Sequence, residues 1–145
     1  MKIAIGADHG GFELKEYLKR TLEKEKHEVI DVGCCSKESV DYPVFGNNVS
    51  KKVSDGECPR GILICTSGIG MSIVANRHPN IRAALCYNKD AAIMSRAHNN
   101  ANILVLGSKY VTAEEAESIV SVWLETDFEG GRHQRRLSQI LNNNC

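Results

Sequence analysis

Residues 61 to 76, GILICTSGIGMSIVAN, place a strand-length apolar run, a turn of small residues and a second apolar run of helical character in direct succession. Gly61 to Cys65 has no polar alternation, so both of its faces must be covered, as in a parallel sheet sandwiched between helices. Thr66 to Gly70 supplies the turn, and Met71 to Asn76 is expected as helix. The same rhythm recurs on either side. Upstream, Lys2 to Gly6 reads as a strand, Phe12, Leu14, Tyr17, Leu18 and Leu22 repeat at helical spacing, Val29 to Val32 reads as a strand, and a helix from Val44 to Val53 follows Pro43. Downstream come strand Ala83 to Cys86, helix Lys89 to His98, strand Ile103 to Leu106 and an amphipathic helix Ala113 to Leu124 with Thr112 as N-cap. Leu137, Ile140 and Leu141 mark a short C-terminal helix. Five βα units predict an α/β fold: a Rossmann-like three-layer αβα sandwich with a five-stranded parallel sheet.

The 145 residues suit one domain spanning 1–145, with Asn142 to Cys145 frayed at the end. Lysine plus arginine equal aspartate plus glutamate at 18 each, which leaves no global field to hold nucleic acid or an anionic membrane. The first strand is too short for a secretory signal, and no apolar run approaches the ~20 residues of a membrane span. A soluble, cytoplasmic protein is expected. Cysteines at 34, 35, 58, 65, 86 and 145 form no tight disulfide framework, so reduced thiols are expected. Cys34 and Cys35 have no second pair at zinc spacing, and no metal site is expected.

Ligands of a doubly wound sheet sit beyond the carboxyl ends of the strands. Asp8 and His9 follow the first strand and Cys65 ends the third. The turn after Cys65 offers free backbone N–H groups at a helix start, a setting for a phosphate, a carboxylate or a developing oxyanion. The same setting favours a thiolate able to act as base, although a cysteine ending an apolar strand is otherwise a small buried hydrophobe. No GxGxxG follows the first strand and no Walker lysine follows the third, which disfavours dinucleotides and ATP. His98, beside Asn99, carries an imidazole, whose unperturbed range suits proton transfer. Arg132 and Arg136 are four apart and share a helix face spaced to grip one phosphate. Each reading has a structural alternative: Asp8 as helix cap, His98 as a helix-end residue, the arginines as a solvated face.

Taken together, KIAIGADHGG at the start, ESVDYP, GILICTSGIGMSIVANR, SRAHNNANILVLGS and the terminal FEGGRHQRR resemble the ribose-5-phosphate isomerase B family over nearly the whole chain. The resemblance implies an aldose–ketose isomerase that interconverts ribose 5-phosphate and ribulose 5-phosphate without cofactor. It implies a homodimer, with a tetramer as the alternative, whose sites are completed by the partner subunit. It casts Cys65 as the base that moves a proton between C1 and C2 through an enediolate, and His98 as the residue that opens the furanose ring. Asp8, His9 and Asn99 match substrate contacts, Thr66, Ser67, Gly68, Ile69 and Gly70 the anion hole, and Arg132 and Arg136 the phosphate pair.

Two positions depart from the family pattern. Cys65, Thr66, Ser67, Gly68 stand where CGTG is common, so an ordinary negative φ is expected at the β-branched Thr66. Lys109 stands where an arginine is common, keeping the charge and losing the bidentate fork. The rival readings are an isomerase of allose 6-phosphate or galactose 6-phosphate, and a phosphosugar-binding module without catalysis. Galactose 6-phosphate isomerase subunits tend to lack the complete GGRHQ ending.

Overall fold

The computed structural model describes residues 1–140, so the expected fraying at Asn142 to Cys145 lies outside the described residues, as does Leu141 of the C-terminal helix. Strands β1 (Lys2–Ala7), β2 (Glu28–Asp31), β3 (Arg60–Cys65), β4 (Ala83–Leu85) and β5 (Ile103–Gly107) form one parallel sheet in the order β2-β1-β3-β5-β4. Helices α1 (Phe12–Lys24), α2 (Tyr42–Ser54), α3 (Ile69–Ala75), α4 (Lys89–Ala97) and α5 (Ala113–Glu125) connect or follow the strands, and α6 (Arg132–Ile140) closes the described chain. This is the expected three-layer α/β arrangement with its C-terminal helix.

Period-two alternation within the apolar strands builds two cores. Ile3 and Ile5, Ile62 and Ile64, Leu104 and Leu106 pack under α1, α4 and α5, around the fully buried Trp123. Ala4, Leu63, Cys65, Ile103 and Val105 face the other way, under α2 and α3. Because successive strand residues point to opposite faces, a run buried on both sides must be apolar throughout.

Element boundaries shift where local chemistry favours it. α2 starts at Tyr42, two residues before the expected Val44, because Pro43 occupies the first turn, where a missing N–H costs nothing. α3 starts at Ile69 instead of Met71, with Gly68 as N-cap in the left-handed region. α5 opens as expected: the Thr112 side chain accepts from the Glu115 N–H at 3.1 Å, and the Glu115 carboxylate accepts from the Thr112 N–H at 2.8 Å, a complete capping box. The Cys34, Cys35, Cys58, Cys65 and Cys86 thiols are all free. No helix among the described residues is long and apolar enough to cross a membrane.

Candidate active site

The sheet order reverses between β1 and β3: β1 connects outward to β2 on one side, while the chain continues through β3 on the other. Such a switch point opens a crevice at the carboxyl ends of the strands. Asp8 and His9 leave β1 there, the Cys65–Gly70 turn leaves β3, and Ser108 and Lys109 leave β5.

Cys65 lies in the core beneath α3, 5% exposed, and its Sγ accepts the Gly68 N–H at 3.1 Å. The Ile69 N–H donates to Ser67 Oγ at 3.2 Å. Two N–H groups of the expected anion hole are therefore already engaged, and the N–H groups of Ser67, Gly70 and Met71 have no acceptor among the described residues. The Thr66 N–H likewise has no acceptor among the described residues, so free donors flank the turn on both sides of Gly68 and Ile69. Thr66 stays outside the left-handed region, as expected. Its carbonyl accepts the Lys109 N–H at 3.0 Å, and the Cys65 carbonyl accepts the Ser108 N–H at 2.9 Å, so the turn is held against the end of β5.

Gly68 carries the positive φ of the turn, 79°, and an added Cβ would stand 2.4 Å from Leu85 Cδ1 and 3.1 Å from the Leu106 carbonyl. Gly68→Ala is expected to cost about 1–3 kcal/mol in strain alone, with a fall in kcat as the N–H at Cys65 is displaced. Denaturant midpoints and turnover of the variant check both effects; an unchanged midpoint would show that the turn relaxes freely.

Asp8 is buried and does cap the chain: its Oδ1 accepts the N–H groups of Gly10 at 3.0 Å and Gly11 at 3.2 Å, closing a 3₁₀ turn before α1. The capping reading and a substrate role coexist only through its other oxygen. His9 Nδ1 accepts the Val40 N–H at 3.2 Å, which ties the 32–41 loop to the crevice and makes Nε2 the nitrogen bearing hydrogen when the ring is neutral. Lys109 is exposed, with Nζ 6.0 Å from the Tyr110 ring centroid.

His98, Asn99, Arg132 and Arg136 are elsewhere. α4 runs against the strands, so His98 caps its end at the amino ends of the sheet, where Asn99 and Asn100 carbonyls accept Arg82 Nε just before β4. Arg132 and Arg136 are exposed on α6 at the same pole, on one helical face, while His133 and Leu137 face inward. The six-residue β3 separates this pole from Cys65 by roughly 17 Å of strand rise. One chain therefore places the candidate residues at opposite ends of its sheet: Cys65 and its turn at one, His98 and the arginines at the other.

Three neighbours were not singled out from the sequence. Tyr42 stands over the turn after Cys65, since a Cβ on Gly70 would meet its ring at 2.6 Å. Glu129 and His133 surround His98, with the His98 and His133 rings stacked at 4.1 Å. The only sequence signals were the ESVDYP and FEGGRHQRR motifs themselves, which carry these residues without revealing their contacts.

The model of the ribose/galactose isomerase family matches residues 3–140. The chain belongs to that family. It is 46% identical to ribose-5-phosphate isomerase B of Escherichia coli over 139 residues, covering 96% of this chain and 93% of the relative. Among solved structures it resembles ribose-5-phosphate isomerase B of Clostridium thermocellum, with TM-score 0.95, 53% identity, and coverage of 97% and 95% of the two chains. It also resembles the Mycoplasma genitalium enzyme with bound ribulose-5-phosphate, at TM-score 0.93, 39% identity, and coverage of 97% and 93%.

Proposed function

We propose that this protein is an aldose–ketose isomerase of the cytoplasm that interconverts ribose 5-phosphate and ribulose 5-phosphate, with Cys65 as its base. The observation that carries the assignment is the Gly68 N–H directed at Cys65 Sγ beside the unpartnered N–H groups of Ser67, Gly70 and Met71. The first favours anionic sulfur, and the others face the place where enediolate charge develops. In the open-chain sugar, Sγ takes the proton from C2 and returns it to C1, while a hydroxyl proton moves from O2 to O1. The net change is isomerisation with no redox partner, so turnover is expected with chelator present. The free thiols accord with a reducing compartment. Formation of ribulose 5-phosphate from ribose 5-phosphate by the purified protein tests the reading. Absence of turnover there, with turnover of allose 6-phosphate or galactose 6-phosphate, would reassign the substrate; binding without turnover of any of them would leave a phosphosugar-binding module.

A homodimer completes the site in this reading. Cys65 and His98 cannot meet within one chain, and a two-fold arrangement would bring the His98 pole of one copy to the Cys65 pole of the other, adding Asn99, Arg132 and Arg136 around the phosphate. An apolar surface beside the anion hole suits such a contact: Val44, Ile69 and Ile73 are 55%, 51% and 59% exposed, and Ile69 and Ile73 share one face of α3. A purified heterodimer of one Cys65→Ala chain and one His98→Asn chain is expected to regain about half of wild-type activity, because one of its two sites carries neither substitution. Activity no higher than that of either homodimer would place each whole site within one subunit.

A further inference from the structure

The segment between α5 and α6 is tied to the end of α4 at two points: the Glu129 N–H donates to the Ala97 carbonyl at 3.0 Å, and Arg96 Nε to the Thr126 carbonyl at 3.3 Å. Gly130 and Gly131, at φ 67° and 57°, then reverse the chain in a region that side chains disfavour. The reversal brings His133 against His98, ring planes 12° apart. Glu129 Oε2 lies at the edge of both rings, 3.7 Å from His98 Nε2 and 3.4 Å from His133 Nε2. His133 is 7% exposed, and its Nε2 has no hydrogen-bond partner among the described residues.

Burial, with His98, Arg132 and Arg136 nearby, pushes His133 towards its neutral form against the pull of Glu129. A neutral ring can stack on a protonated His98, whereas two imidazolium rings would repel. The trio is poorly arranged for a metal ion, because imidazole lone pairs lie in the ring plane and stacked rings direct them side by side, not to a common point. His98 Nδ1 has no partner among the described residues, and the side chain is 30% exposed.

We propose that Glu129 is a positioning residue for ring opening: its carboxylate holds the Nε2 edge of His98 against the stacked His133 ring, leaving Nδ1 to exchange protons with the sugar. This rests on the ring-opening role of His98. Opening breaks the C1–O4 bond, forms the C1=O1 carbonyl and moves a proton from O1 to O4. Nδ1 can accept the first and return it to the second while Nε2–H stays directed at Glu129. At 3.7 Å the carboxylate acts on His98 as a neighbouring charge, favouring the tautomer with hydrogen on Nε2.

Ribulose 5-phosphate distinguishes positioning from a structural role, because its O5 is esterified and it cannot close a furanose ring. Glu129→Gln is expected to lower kcat/KM for ribose 5-phosphate by about 10- to 100-fold, with Glu129→Asp recovering part of the loss. The same Gln variant is expected to keep, within about twofold, the rate at which deuterium from solvent enters C1 of ribulose 5-phosphate, followed by NMR. Its turnover of erythrose 4-phosphate, an aldose that cannot cyclise through its esterified O4, should be equally preserved. Equal loss on cyclic and open-chain substrates, or no loss on either, would overturn the proposal. His98→Asn serves as benchmark: if it too slows the open-chain reactions in proportion, the ring-opening reading itself fails, whereas a cyclic-only defect in His98→Asn absent from Glu129→Gln refutes Glu129 alone.

Discussion

Cys65→Ala is expected to lower kcat for ribose 5-phosphate by about 100- to 10,000-fold, the usual range for loss of a positioned base, while ligand affinity changes little. Cys65 makes no contact with the unpartnered Ser67, Gly70 and Met71 N–H groups, which in the proposed reading hold the substrate oxygen, nor with the arginines at the other pole. Binding and proton transfer therefore separate at this residue. Cys65 is 5% exposed and packs in the α2–α3 core, so the truncation leaves only a small void. Kinetics of the variant, with affinity for ribulose 5-phosphate measured by calorimetry, check the prediction. Turnover within a few-fold of wild type would remove Cys65 as base, and a parallel loss of affinity would show that the turn had collapsed.

Lys15→Met is expected to have the largest effect on stability, about 3–5 kcal/mol. Lys15, 1% exposed on α1, places Nζ 2.6 Å from Asp31 Oδ2 and 2.6 Å from Glu16 Oε1. Asp31 also accepts the Gly33 N–H at 3.0 Å, and Lys19 approaches it at 3.3 Å. Removing Lys15 leaves a largely buried carboxylate without its closest counter-charge, and Lys19, nearer to solvent, replaces it only in part. Adding Asp31→Asn to Lys15→Met should restore a fraction of the loss, because the orphaned charge is then gone. Denaturant unfolding of the three variants decides this; equal stability of wild type and Lys15→Met would show that the pair contributes nothing net.

The same pair predicts a pH dependence. Burial alone would raise the Asp31 carboxyl, but the Lys15 hydrogen bond, the Gly33 N–H and the positive charge of Lys15 outweigh it and hold the group below its ordinary 3.8. Burial likewise opposes the charge on Lys15, and hydrogen bonds to Asp31 and Glu16 outweigh it, raising the ammonium above 10.5. A lowered carboxylate contributes stability that is complete above its unfolded value and lost as pH falls through the folded one. A raised ammonium contributes below its unfolded value and loses that contribution as pH rises through the folded one. The stability gap between wild type and Lys15→Met should therefore be widest from about pH 5 to 9 and shrink below about pH 4. A gap constant down to pH 2 would contradict the assignment.

The Gly61–Cys65 run, the Thr112 cap and the glycine turn at Gly68 were legible in the amino-acid order because their causes are local: apolar periodicity, a side-chain acceptor three residues from its donor, and a backbone conformation that glycine tolerates. Family membership was legible for a related reason, since its motifs are contiguous stretches. Lys15 sits between the apolar positions of the α1 pattern, and only packing against β2 and the 31–33 turn made it a buried partner of Asp31. His133 lies within the FEGGRHQRR motif, and only the reversal at Gly130 and Gly131 stacked it on His98, thirty-five positions away in sequence. The division of the candidate site was implied by the family motifs but not by the position of its residues along the chain. Residue order shows that Cys65 ends a strand and His98 ends a helix, whereas the parallel sheet, with α4 returning antiparallel to it, sets the two at opposite poles. Local propensity determines what a segment becomes, and the direction of each crossover determines which ends meet.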